Sequence, residues 1–65
     1  MEHINIVVNS SGKGDELFVL FEKHTNKVIS INQYHSMIDR TETITQYNHS
    51  YNSLLNTARK ILDGK

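Results

Sequence analysis

The chain has no cysteine, no surplus of either charge and no long apolar run, and each lack removes a class of explanation. Without cysteine there can be no disulfide and no thiolate metal site. Seven basic residues are balanced by seven acidic ones. Neither the basic stripe that marks nucleic-acid or anionic-membrane binding nor the acidic surface of a DNA mimic is therefore expected. The longest apolar run is Leu17-Phe18-Val19-Leu20-Phe21, far short of the roughly 20 residues that span a membrane. The opening Met1-Glu2-His3-Ile4 lacks the basic segment and apolar stretch of a secretory signal, so the expected setting is cytoplasmic. Asn9-Ser10-Ser11 and Asn48-His49-Ser50 fit the glycosylation triplet, but without such a signal they read as chance matches.

Apolar residues are also scarce, at 37% of 65 positions. A chain of this length buries only about 60% of the surface its unfolded form exposes. Small domains offset that weakness with disulfides, a metal or a partner chain. With thiols excluded, association is the remaining means, and a homodimer is expected.

Residues with catalytic potential are present but poorly spaced. Gly12-Lys13-Gly14 could offer backbone amides to phosphate, yet the phosphate-binding loop needs a longer motif followed by a helix, and here an apolar strand follows. His3, His24, His35 and His49 show none of the i, i+4 spacing of helical zinc ligands and read as solvated side chains. Ser50 and His49 are adjacent, which prevents a productive nucleophile–base geometry. Asp39 and Glu42 read as first-turn residues of a helix rather than as an acid–base pair. No enzyme, metal or cofactor is expected.

What is present is a small core. The Leu17–Phe21 run does not alternate, so it reads as a strand covered on both faces. Ile4 to Val8 forms a strand with Ile4, Ile6 and Val8 on one face. Ser10 to Asp15 is a loop, Glu16 to His24 a second strand, Thr25-Asn26 a turn, and Lys27 to Asn32 or Tyr34 a third strand. A two-residue turn would set Leu20 opposite Ile31, Glu22 opposite Ile29 and Phe18 opposite Gln33. Phe18, Leu20, Ile29 and Ile31 would then share one face, and Leu17, Val19, Phe21 and Val28 the other.

In the C-terminal third, Ile44, Tyr47, Tyr51, Leu54, Leu55, Ala58, Ile61 and Leu62 recur at spacings of three and four, the pattern of an amphipathic helix. Residues 50–63 are read as helix. Residues 39–48 are read as its extension, although Thr41-Glu42-Thr43-Ile44-Thr45 is rich enough in β-branched residues to serve as a short edge strand. The expected fold is α+β: a three-stranded antiparallel meander, order 1-2-3, with a C-terminal amphipathic helix on one face.

One helix cannot cover two apolar sheet faces, and an uncovered face is an interaction patch. The expected function is a non-catalytic protein-binding module that inhibits or adapts a larger partner through a homodimer. Such size and composition fit accessory proteins of phages and mobile elements. The expected contact residues are Val19, Phe21, Val28, Tyr34, Tyr47 and Tyr51, the tyrosines because they bury area while keeping a polar tip. The alternative is a nucleic-acid-associated regulator using a sheet face with Lys23, Lys27, Arg59 and Lys60.

Overall fold

The computed structural model describes residues 2–10 and 12–64. Four strands, β1 (His3–Ser10), β2 (Glu16–Glu22), β3 (Val28–His35) and β4 (Arg40–Ile44), precede one helix, α1 (Tyr51–Asp63). The strands form one antiparallel sheet in the order β1-β2-β3-β4. The expected α+β meander and C-terminal helix are present, but the sheet has four strands rather than three.

The fourth strand replaces the expected helix start at 39–48. A tight turn at Ser36–Asp39 reverses the chain: the Asp39 N–H donates to the Ser36 carbonyl, and Asp39 adopts φ 48. This left-handed conformation is one that Asp tolerates better than most residues. Thr41, Thr43 and Ile44 then pair with Tyr34, Asn32 and Ile31. The β-branched side chains that weaken a helix suit this pleated edge. A chain turn containing Tyr47 follows, so Ile44 and Tyr47 stand outside the helix. Ser50 caps α1 without a side-chain hydrogen bond, and its own N–H is held by the Asn48 side chain at 2.8 Å.

The hairpin between β2 and β3 also differs from expectation. Its turn is four residues, Lys23–Asn26, rather than two. Glu22 N–H donates to the Lys27 carbonyl and Asn26 N–H to the Glu22 carbonyl, each at 2.8 Å. The Glu22 carboxylate accepts from the N–H groups of His24 and Thr25 and from the Thr25 hydroxyl. Asn26 takes the left-handed position, at φ 59. A bulge at Ile29 then shifts the register, so that Val19 faces Ile31 and Leu20 faces Ser30. Because side chains alternate across a strand, that one-residue difference moves Ile31 from the Leu20 face to the Val19 face.

The outcome is a segregated sheet. Ile6, Val19, Ile31 and Ile44 form one row across all four strands, with Ile4, Phe21 and Val28 in the next. Ile6, Val19, Phe21 and Ile31 are buried with Ala58 of α1, and Tyr51, Leu54, Leu55 and Leu62 pack around them. Arg59 closes the rim: its guanidinium lies 5.5 Å from the Phe21 ring centroid and donates to the Asn26 carbonyl at 3.3 Å. The helix thus covers the face that holds Val19, Phe21 and Val28, three of the expected contact residues.

Candidate protein-binding surface

The opposite face of the sheet carries no second layer among the described residues. Its rows are Asn5–Leu20–Ser30, then Val7–Phe18–Asn32–Thr43, then Ser10–Glu16–Tyr34–Thr41. Phe18 and Leu20 are half-buried and Val7 is 43% exposed. Asn32 is 7% exposed within this face, and its amide is used on both sides. The Nδ2 group donates to Ser30 Oγ at 2.8 Å, and Oδ1 accepts from Thr43 Oγ1 at 3.3 Å. A buried amide with such partners costs little and links β3 to β4.

Beyond the Tyr34 row lies the β3–β4 turn, where Met37 and Ile38 are 89% and 63% exposed. Turn tips are ordinarily polar, so two adjacent large apolar side chains here call for a reason. Hydrogen bonds hold both ends of the turn. Tyr34 Oη donates to Asp39 Oδ1 at 2.8 Å, and the Ser36 N–H donates to Asp15 Oδ1 at 2.8 Å. The Ser36 hydroxyl is shared between the Asp15 carboxylate and the Lys13 carbonyl. These contacts tie the β3–β4 turn to the β1–β2 loop. Gly14 sits between them at φ 90, and a Cβ there would come within 3.3 Å of Ser36 Cβ.

The titrations follow the same bonds. Donation from the Ser36 backbone, then from its hydroxyl, holds Asp15 below the usual carboxylate range. The bond to Asp39 raises the Tyr34 phenol above its ordinary value. At the other end of the sheet, the His24 and Thr25 bonds lower Glu22.

The expected contact residues divide. Val19 and Phe21 are core residues under α1 and are not available to a partner, because the hairpin register turns them toward the helix. Val28 and Tyr51 are half-buried against that core. Tyr34 lies on the open face beside the exposed turn, and Tyr47 is 88% exposed in the chain turn before α1. Phe18 and Leu20 on the open face and Met37 and Ile38 on the exposed turn were not among the expected contact residues. Their signal was weak: Met37-Ile38 falls in a segment that periodicity alone reads as connector or helix start.

Of the basic residues, Lys23 opens the β2–β3 turn, Lys27 follows it and Arg59 reaches the same turn. Lys23 is paired with Glu2 at 2.8 Å, while Lys60 lies in the last turn of α1. A shallow depression of about 200 Å³ lies among Asn9, Ser10, Asp15, Glu16, Leu17 and Gln33, below the roughly 300 Å³ of the smaller ligand pockets. Among the described residues no three His, Cys, Asp or Glu side chains converge as metal ligands, and no helix is long and apolar enough to cross a membrane. No protein-family model, curated protein or solved structure matches the chain.

Proposed function

We propose that this protein is a small non-catalytic binding module that docks on a larger protein partner, as an inhibitor or adaptor. The observation that carries the reading is the exposure of Met37 and Ile38 on a turn whose ends are held by hydrogen bonds. Leaving two such side chains in water has a cost, and the turn's hydrogen bonds remove the entropy that a flexible tip would lose on docking. The tip continues into Tyr34 and the Phe18–Leu20 face. That surface combines apolar anchors with one aromatic polar tip, the composition typical of interface centres. The module acts as a homodimer in this reading.

The test is a paired comparison. A protein partner held by the wild-type chain should be lost by Met37→Asp/Ile38→Asp, a variant that keeps the wild-type far-UV circular dichroism spectrum. Retention by that variant would remove the tip from the interface. Binding to single-stranded DNA or RNA that weakens steeply with salt, and that falls with Lys23→Ala and Lys27→Ala, would instead support the nucleic-acid alternative.

A further inference from the structure

We infer that β1 is an edge at which two copies of this chain pair, antiparallel, about a twofold axis through Asn5. This deepens the dimer in the reading above by saying where the copy sits. It leaves the Met37–Ile38 tip and the open face to the outside partner, and each half of the proposal can fail alone.

The two edges of the sheet differ. Any edge strand presents unpaired backbone N–H and C=O groups, and proteins guard such edges with charge, proline or short length. β4 is guarded: it has five residues and carries Arg40 and Glu42. β1 is not. It runs for eight residues, His-Ile-Asn-Ile-Val-Val-Asn-Ser, with no Asp, Glu, Lys, Arg or Pro. Its one irregularity, the register shift between Val7 and Asn9, lies beyond the stretch His3–Val7 and leaves that stretch regular.

Which groups point outward follows from the ladder. The Lys23 N–H donates to the Glu2 carbonyl at 3.1 Å, so the backbone of Glu2 faces β2. Hydrogen-bonded and non-bonded positions alternate along an antiparallel pair, so Ile4 and Ile6 also face β2. His3, Asn5 and Val7 turn their N–H and C=O groups to the open edge.

Among twofold registers of β1 on itself, only the one centred on Asn5 engages all three outward residues of both copies. Asn5 pairs with the Asn5 of the copy, and His3 with its Val7, which makes about six backbone hydrogen bonds. The side chains agree with this register. On the helix side Ile4 of each chain falls opposite Ile6 of the other, extending the buried row from one sheet into the next. On the open side the two Asn5 amides meet and no charged pair is opposed. The same operation on β4, centred on Glu42, would set two carboxylates face to face.

The absence of native cysteine makes the test clean. Hydrogen-bonded partners sit about 5.5 Å apart at Cα, within disulfide range. Wild-type protein should show twice the 7.5 kDa chain mass in light scattering and dissociate on dilution. Asn5→Cys should form a disulfide-linked dimer under mild oxidation at least about tenfold faster than Thr41→Cys, whose cysteine lies on the β4 edge. Asn5→Pro removes only an outward N–H, a change that edge strands tolerate. It should keep the wild-type circular dichroism spectrum and weaken the dimer about thirtyfold through loss of the two central hydrogen bonds. A monomeric mass at every concentration would overturn the inference. So would a dimer in which Asn5→Cys links no faster than Thr41→Cys, or one that Asn5→Pro leaves intact while folded.

Discussion

Phe18 and Phe21 lie three residues apart in the same strand and so on opposite faces, and truncating each separately tests the face assignment directly. Phe21 is fully buried beneath α1, with Val19 and Ile31 beside it and the Arg59 guanidinium over its ring. Phe21→Ala should cost about 3–5 kcal/mol, the usual cost of emptying a buried aromatic site. Phe18 is half-buried on the open face, and Phe18→Ala should cost about 1–2 kcal/mol from the smaller apolar area it removes from water. A domain of this length has a total stability of about 3–10 kcal/mol, so the first variant approaches global unfolding and the second does not. Urea unfolding followed by circular dichroism gives both numbers. With a slope of about 1 kcal/mol/M, the midpoints should fall by about 4 M and about 1.5 M. Should Phe21→Ala not fold at all, Phe21→Leu and Phe18→Leu keep the comparison, the first at a cost of about 1–2 kcal/mol and the second at under about 0.5 kcal/mol. Equal costs at both positions, independent of protein concentration, would refute the assignment of Phe21 to the helix face and Phe18 to the open one.

Other outcomes follow from the turns. Asn26→Ala places at φ 59 a residue that visits the left-handed region less readily than Asn; thermal unfolding should show a loss of about 1 kcal/mol, with Asn26→Gly close to wild type. Gly14→Ala, at φ 90 and against Ser36, should lose about 1–2 kcal/mol by the same measurement, and no loss would contradict the turn geometry. Asp15 and Glu22 titrate below their ordinary values of 3.8 and 4.5 in the fold. Their bonds therefore stabilise fully above those values, and the contribution is lost as pH falls through the lower folded pKa. The urea midpoint should drop on acidification below pH 4.5, and Asp15→Asn should drop less steeply; parallel curves would count against the Ser36–Asp15 tie. Tyr34→Phe should remove a phenol ionisation lying above the ordinary 10.0 from a spectrophotometric titration.

The elements with strong periodicity were legible in the sequence. Residues 51–63 carry apolar side chains at helical spacing, and β1 and β2 stand where β-branched and aromatic residues concentrate. What periodicity could not supply was register. A two-residue turn at Thr25-Asn26 and a four-residue turn at Lys23–Asn26 are separated by the reach of one carboxylate, Glu22, onto His24 and Thr25. The bulge at Ile29 has no local signature either. Together they decided which face Ile31 joins, and with it which face the helix covers. The strand at Arg40–Ile44 illustrates a second limit: Thr-Glu-Thr-Ile can serve helix or strand, and only the pairing with β3 selects one. On the surface, residue type alone singles out the tyrosines, whereas the exposure of Met37 and Ile38 depends on the turn that places them in water.

The order of the strands has a kinetic consequence. Each strand pairs with its neighbour in sequence, so the sheet can assemble by successive short-range closures, which are fast. The helix is different: Ala58, near the end of the chain, packs with Ile6, near its beginning. Docking α1 therefore closes the longest loop in the molecule and should come last. Until then the row Ile6–Val19–Ile31–Ile44 is bare and the β1 edge is open beside it. Ala58→Gly should accordingly raise the unfolding rate more than it slows folding in stopped-flow chevrons. The interval before helix docking is the period in which this chain is most exposed to aggregation, and expression temperature should bear on yield through that interval more than through equilibrium stability.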